Sequence, residues 1–476
     1  MRVRAVLAGA TLVLTSCGGD FIFGPPPGSR LAFLTQPATG EGQVALAPAI
    51  RVALQDSTGA TLTTASDEVT IALAANSAGA TLSGATTVRA VNGIATFTNL
   101  RVDLPGDGFV LEARRPKMTP VASAAFSVRL TFAQVSAGQA HTCGLTVAGF
   151  AYCWGANESN QLGSGDTTEH RAPWPVKGGL RFGQIDTGDH HACGATTDHV
   201  AYCWGFNLNG RLGDGTTLDR PEPTRVTGDL AFTEVSTATY PTCGLTVDGS
   251  VYCWGMMFAE NTIVVRHAPA PVPGGGRFLR ISVGAGHACG VATDSTAYCW
   301  GSNTIGKLGD STTTSRLTPA PVAGGLKFAQ VSAGYAHTCG VTIDNTAYCW
   351  GWGGDGNLGD GTSASHFSPT PVAGGVAFAQ VSAGDFWHSC GVSTGNAAYC
   401  WGRGDDGQLG DSTTGSRLSP TPVVGGVAFV RISAGIYHSC GISSSNVAYC
   451  WGSNQHGQLG DATTAAQRLG PTPVAH

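Results

Sequence analysis

The chain has 476 residues, 69 glycines, 15 cysteines, 12% charged residues and a formal net charge of −5. Its four lysines are Lys117, Lys177, Lys307 and Lys327, and without a basic cluster it lacks the positive stripe that nucleic-acid binding requires. No Gly-rich phosphate loop precedes a helix, no serine-nucleophile elbow stands out, and nothing in the sequence calls for a cofactor.

Arg2 and Arg4 precede an apolar run over residues 5–14, which is too short to span a bilayer but suits a signal-peptide core. The run ends Leu14-Thr15-Ser16-Cys17, an ending that resembles a bacterial lipoprotein signal. That resemblance implies removal of residues 1–16 and acylation of Cys17, which would anchor an exported chain to a membrane of the cell envelope. Gly18 after the cysteine favours the outer membrane or cell surface by the same comparison. An ordinary signal peptide with an incidental cysteine is the alternative. Residues 17–29 contain Pro25-Pro26-Pro27 between glycines and read as a semi-extended tether.

Residues 30–128 contain no cysteine, and short alternating runs such as Ile50-Arg51-Val52-Ala53-Leu54, Val69-Thr70-Ile71-Ala72-Leu73 and Phe109-Val110-Leu111-Glu112-Ala113 predict strands. Asp56-Ser57-Thr58-Gly59, Asn92-Gly93 and Pro105-Gly106-Asp107-Gly108 punctuate them, as in an all-β sandwich. The stretch from Ala90-Val91-Asn92-Gly93 to Asn99-Leu100, with the opening Leu31-Ala32-Phe33-Leu34, resembles bacterial immunoglobulin-like repeats of surface proteins. The resemblance implies a spacer.

Residues 129–476 are seven near copies of one unit. The first cysteines, Cys143, Cys193, Cys243, Cys289, Cys339, Cys390 and Cys440, recur every 50 residues except for one interval of 46 and one of 51. The second cysteines, Cys153, Cys203, Cys253, Cys299, Cys349, Cys400 and Cys450, follow ten residues later in every copy. If each pair faces across an antiparallel hairpin, the tip has three residues, and the last of them sits in the left-handed region as a bulge. Those last residues are Gly149, His199, Gly249, Ser295, Asn345, Asn396 and Asn446, all but Ser295 of types that tolerate positive φ well. Register and turn chemistry therefore agree on a cross-strand disulfide in each copy. Metal is the competing reading, with His141, Cys143 and Cys153 as a trio that every copy repeats except the third, where Pro241 replaces the histidine. Zinc sites pair their cysteines more closely and need a fourth ligand, and export supplies the oxidising compartment in which disulfides persist.

Each unit reads like Phe328-Ala329-Gln330-Val331-Ser332-Ala333-Gly334, then a hairpin ending Tyr348-Cys349-Trp350-Gly351, then a polar connector such as Gly309-Asp310-Ser311-Thr312-Thr313, then Pro319-Ala320-Pro321-Val322. This resembles the regulator of chromosome condensation repeat, which implies a seven-bladed β-propeller. Each hairpin is apolar on both faces, Cys143 and Leu145 alternating with Tyr152 and Trp154, so it needs neighbours on both sides. Trp154, Trp204, Trp254, Trp300, Trp350, Trp401 and Trp451 are then blade packing. Since the chain ends Pro471-Thr472-Pro473-Val474, this tail is predicted to close the ring by pairing beside the first blade near Phe132.

Equivalent histidines, His141, His191, His287, His337, His388 and His438, sit too far apart on separate blades to share a metal, and hydrogen bonds to neighbouring backbone are expected of them. Asp214, Asp310, Asp360, Asp411 and Asp461 stand beside Gly and Ser/Thr, where the carboxylate accepts backbone N–H bonds in a turn. No metal ligand and no catalytic residue is assigned.

What varies between Ser-Ala-Gly and His-x-Cys is more informative about function. These positions fall at one rim by pseudo-symmetry, and they carry Tyr240, Tyr335, Phe386, Trp387 and Tyr437, aromatics of the kind that anchor protein interfaces. Packing into the central channel is the alternative. The third copy departs most: Met256-Met257-Phe258-Ala259-Glu260-Asn261 replaces the Leu-Gly-Asp segment and reads as a decayed connector or, alternatively, a soft contact patch.

Three functions remain. The first is a monomeric surface-tethered scaffold gripping a protein or envelope ligand, since exported members of the resembled family include inhibitors that clamp enzymes with a propeller face. The second is the guanine-nucleotide exchange of the nuclear members, disfavoured by export and by uniform repeats that leave little room for a projecting wedge. The third is a polysaccharide hydrolase or lyase using rim carboxylates such as Asp189 and Asp385.

Overall fold

Period-two apolar alternation requires two sheets to share a core, and the first unit meets that requirement. The computed structural model describes residues 28–76, 79–259 and 262–475; the signal, Cys17 and most of the tether lie outside them. Arg30–Thr35, Ile50–Gln55 and Ile94–Phe97 form one antiparallel sheet. Gly40–Glu41, Phe126–Arg129, Gly106–Arg114, Glu68–Ala75 and Thr87–Arg89 form the other. Val52, Leu54 and Phe97 from the first meet Ile71, Phe109, Leu111 and Val128 from the second in one core. Asp56 Oδ1 accepts from the Thr58 and Ala60 amides, making the turn expected there. Asn92 and Gly93 both take positive φ, 51° and 76°, the geometry of a two-residue hairpin. Gly106-Asp107-Gly108, by contrast, lies inside a strand, where Asp107 and Gly108 form a bulge opposite Ser127.

The second unit is a ring of seven four-stranded antiparallel sheets, each built from consecutive strands. In the first blade these are Phe132–Ala137, His141–Thr146, Ala151–Gly155 and His170–Pro175, running from the channel outward. In every blade the two cysteines are direct partners across the middle hairpin and are joined as a disulfide. All seven tip residues have positive φ, from 61° at Asn446 to 84° at Gly149, and Ser295 conforms at 65°. Outer strands such as Arg316–Pro321 carry alternating prolines, which blunt an edge that would otherwise invite pairing with another chain.

Side chains of the innermost strands stitch blade to blade. Gln184 donates to the Val235 carbonyl at 2.8 Å and accepts from its amide at 2.9 Å, and Gln134, Gln330 and Gln380 do the same at their own junctions. Two residues further along, serine hydroxyls accept from the next blade's amide, as Ser282 does from Ala333 at 2.9 Å. Glu234, Arg280 and Arg431 hold the Gln position in the other three blades and face the channel. Burial pushes the Glu234 carboxyl up to about 7 despite the nearby Arg280.

The tail does not pair beside the first blade. Gln467–Pro473 is the outermost strand of the seventh blade, paired with Ala448–Ser453, because each connector folds its Pro-rich segment back onto the hairpin that precedes it. The ring closes instead by the bond used at every junction, in which the hairpin-tip carbonyl accepts the first amide of the next blade. Phe132 N donates to Asn446 O at 2.8 Å as Phe182 N does to Gly149 O.

The sandwich sits against blade 1. The Tyr152 hydroxyl donates to the Asp103 carbonyl at 2.6 Å, Thr131 Oγ1 bonds Glu41 at 3.0 Å, and Trp174 packs against the sandwich core. Trp174, stacked on His170 at 4.1 Å, occupies a position held by Ala or Thr in the other blades and carried no signal in the repeat pattern.

Blade 3 is the exception in the ring. Its connector is not a decayed loop: Val251–Ala259 and Thr262–Pro271 continue the hairpin outward, pairing Met256 with Val265 and Phe258 with Ile263. Without the Gly-Asp turn these residues are apolar and largely β-branched, and they extend the ladder. A short repeat thus makes the longest strands of the ring, whereas the expectation was that uniform repeats leave little room for a projecting wedge.

Candidate functional site

Seven loops, each joining the first and second strands of a blade, lie at one end of the ring. Beside each, the residue after Trp-Gly donates its amide to the loop residue before the histidine position: Phe206 N to His190 O at 2.9 Å, Trp352 N to Ala336 O at 3.0 Å. Phe206 and Trp352 therefore join the rim; the sequence reading missed them, and variation just after Trp-Gly is the signal that would have found them.

Four of the five rim aromatics converge. Tyr335 stacks on Phe386 with ring centroids 4.5 Å apart, Phe386 meets Trp387 at 5.3 Å, and Trp387 meets Trp352 at 4.8 Å. Tyr240 packs on Phe258 at 5.4 Å. Tyr240 and Tyr335 come from blades 3 and 5, and the small pair Ala285-Gly286 of blade 4 leaves room between them. At Gly286, where φ is +83°, an added Cβ would lie 2.7 Å from Phe258. The result is an arc over blades 3 to 6 whose rings are all half-buried. Tyr437 is separate: 37% exposed, it lines a polar cleft with Gln139, Asp406 and His456.

Two buried cations hold the loops of the arc. Arg211 donates to the Leu208 and Thr239 carbonyls and lies 5.0 Å from the Phe206 ring. Lys307 donates to the Ala285 and Tyr335 carbonyls at 2.8 and 3.2 Å, and burial lowers it to about 8. Fixing loops with charges bonded to carbonyls pre-organises a face.

Asp189 and Asp385 lie on the rim, and the charge of one is felt at the other. Burial pushes both carboxyls up, and Asp189 is among the groups that raise Asp385 further. Asp189 is only 8% exposed and its Oδ1 has no hydrogen-bond partner. Burial, then Tyr240 and Asp189, push the Tyr335 phenol up.

The histidines do not bond backbone as expected. Five of the six pair Nε2 with a hydroxyl on the following blade: His191 with Thr242, His287 with Thr338, His337 with Ser389, His388 with Ser439, and His438 with Thr142 across the closing junction, at 2.7 to 3.1 Å. Each hydroxyl donates onward to a connector carbonyl, as Thr338 does to Lys307 O. His141 faces Ala192 and has no partner at either nitrogen. The residue after each histidine held this pattern in the sequence. Burial drives His141, His337, His388 and His438 down to about 3, so they stay neutral. The connector aspartates do accept turn amides, for example Thr312 N to Asp310 at 3.0 Å, and also bind a strand cation, Arg316 at 2.8 Å.

The same connectors cap the tryptophans. Trp154, Trp204, Trp254, Trp350, Trp401 and Trp451 each donate an indole N–H to the connector carbonyl of the preceding blade at 2.9 to 3.0 Å.

Two models of the regulator of chromosome condensation (RCC1) repeat match the chain. One covers residues 148–195, 198–245, 294–341, 344–392 and 396–442, the other 132–161, 278–306, 328–357, 378–408 and 429–458. Residues 246–277, which hold the extended hairpin of blade 3, fall in neither. No curated protein sequence matches the chain. Among solved structures, Prp20p from Saccharomyces cerevisiae, described with its binding to Gsp1p and histones, superposes with a TM-score of 0.62 at 20% identity, over 73% of this chain and 88% of that one. Human WBSCR16 superposes with a TM-score of 0.60 at 17% identity, over 80% and 99%. At these identities the likeness is one of fold.

Proposed function

Because the chain belongs to the regulator of chromosome condensation repeat family, we propose that it is a non-catalytic binding scaffold that grips a protein or envelope ligand with the rim bearing the aromatic arc. One observation carries this reading: Tyr240, Tyr335, Phe386 and Trp387 form a half-buried aromatic surface on loops pinned by Arg211 and Lys307. Large aromatics held rigid at a surface lose little entropy on binding and dominate interface energies. That Prp20p binds the proteins Gsp1p and histones agrees with a protein as partner.

The N-terminal features extend the proposal. Leu14-Thr15-Ser16-Cys17 supports acylation at Cys17 and an anchored, monomeric chain in the cell envelope, with the sandwich as an immunoglobulin-like spacer. Seven disulfides support an oxidising compartment, and the net charge of −5 argues against nucleic acid. Export likewise argues against guanine-nucleotide exchange. The influence of Asp189 on Asp385 favours a second reading, a polysaccharide hydrolase or lyase, but the burial of Asp189 argues against a sugar beside it.

The test is capture from envelope extract by the intact chain and by the Trp387→Ala, Tyr437→Ala double variant. Capture falls roughly tenfold or more with a nearly unchanged melting temperature if the rim is the interface. Unchanged capture refutes it, and a collapsed melting temperature shows that the rings are structural.

A further inference from the structure

At six of the seven junctions the preceding blade supplies the same plug. A carbonyl caps the next blade's indole N–H, the following leucine fills the gap and a glycine passes beneath the indole; at five of the six an aspartate also binds the arginine or histidine of its own outer strand, Ser164 standing in its place in blade 1. At the junction of blades 4 and 5 these are Lys307 O, Leu308, Gly309 and Asp310, the last bound to Arg316. The glycine is obligatory: at Gly309, with φ +70°, an added Cβ would lie 2.6 Å from Trp350 Nε1.

Blade 3 has no such segment, and three complementary features remain where it would lie. Trp300, on the receiving face of blade 4, makes no hydrogen bond among the described residues and keeps 4% exposure where the other six tryptophans have 0%. Beside it is an apolar-walled cavity of about 70 Å³, lined by the Cys243–Cys253 disulfide, Met257, Phe258, Val264, Trp300 and Arg266. That is room for several water-sized groups, even with Met257 reaching partly into the place of the leucine. Arg266, paired in register with Gly255 as Arg316 is with Gly301, has no connector aspartate at the equivalent position, and its Nε is buried without a partner among the described residues.

We propose that the junction of blades 3 and 4 is a docking site for a short segment of a partner polypeptide that replaces the missing plug in trans. The segment presents a backbone carbonyl to Trp300, a branched aliphatic side chain to the cavity, a glycine under the indole, and a carboxylate to Arg266. The committed occupant is thus an x-Leu-Gly-Asp-like stretch, whose shape is dictated by the six junctions that carry x-Leu-Gly in cis, five of them with the aspartate. The logic is that of strand complementation, where a fold lacking one element accepts it from another chain. The site does not depend on the rim reading, although Phe258 belongs to both surfaces.

The probe is the acetylated, amidated peptide Gly-Lys-Leu-Gly-Asp-Ser, the sequence of residues 306–311. It is titrated into the full chain by calorimetry and by NMR of the indole N–H that Trp300→Phe identifies. Saturable binding with a downfield shift of that resonance is expected. Changing the peptide's leucine to alanine weakens binding roughly tenfold or more, and its aspartate to asparagine about tenfold. Arg266→Gln removes the preference for the aspartate peptide. Replacing residues 256–265 by the sequence of residues 302–315 supplies the plug in cis, and should abolish peptide binding while raising the melting temperature. No saturable binding, or binding indifferent to both peptide changes, overturns the proposal, and neither outcome depends on a variant folding.

Discussion

The sandwich and the ring solve the same burial problem differently. The sandwich has one core fed by both sheets, with no cysteine and no histidine. The ring has seven small cores, each between two blades, in which the disulfide of one blade lies against the Phe and Trp of the next, as Cys339–Cys349 does against Phe378 and Trp401. A core made of nearest-neighbour contacts behaves as an array, whose stability is a sum over units and interfaces. A single shared core is lost or kept as a whole.

Reduction should separate the two regions most sharply. Each ten-residue disulfide loop contributes roughly 2–3 kcal/mol in the chain-entropy model, and all seven lie in the ring. All ten tryptophans lie there too, and nine of them have no part in the sandwich core, so their fluorescence reports chiefly the ring, with Trp174 at the joint. With a phosphine reductant the fluorescence transition should fall far below that of the oxidised chain, while a far-UV transition of the sandwich persists. A single common shift would mean that the two regions unfold as one body.

Acid comes second. His141, His337, His388 and His438 are neutral in the fold to about pH 3, whereas an unfolded histidine titrates near 6.5. Between those values the unfolded chain binds more protons, so the ring loses stability as pH falls through that window. Glu234, raised to about 7, acts oppositely and contributes more as pH falls from there toward its ordinary range, as do the carboxyls of Asp186, Asp189 and Asp385 that burial also raises, but they stand against six buried histidines, since burial drives His191 and His287 down as well. The urea midpoint by fluorescence should be lower at pH 5 than at pH 7, and a flat profile would contradict the buried, neutral histidines. The smallest effect concerns the joint. Tyr152→Phe removes the bond to Asp103 and should cost about 1 kcal/mol, read as two melting transitions moving apart.

Much of the ring could be read from the cysteines. A fixed ten-residue interval sets the hairpin register, and the register names the tip residues, down to Ser295 at positive φ. Ring closure could not be read so, because a Pro-rich strand next to a new blade in sequence is equally consistent with pairing to either neighbour; Gln467–Pro473 chose the older one. Pseudo-symmetry located the rim but not its contacts. That Tyr335 stacks on Phe386 while Tyr437 stands apart depends on non-equivalent residues, which symmetry alone does not place. Blade 3 was misjudged for a related reason: a missing turn looks like loss, yet the residues left behind form strands.

Each four-stranded sheet is completed by its own stretch of chain, so the meeting of blades 7 and 1 is chemically one junction among seven. Asn446 O, the His438–Thr142 pair and the Trp154 indole bond do there what their counterparts do elsewhere. The ring therefore has no privileged beginning, and a gene permuted to start between any two blades encodes the same wheel. What gives the wheel an orientation is only the sandwich docked at Tyr152 and Trp174, which fixes the blade nearest the N-terminal side and with it the angular position of the arc and of the incomplete junction.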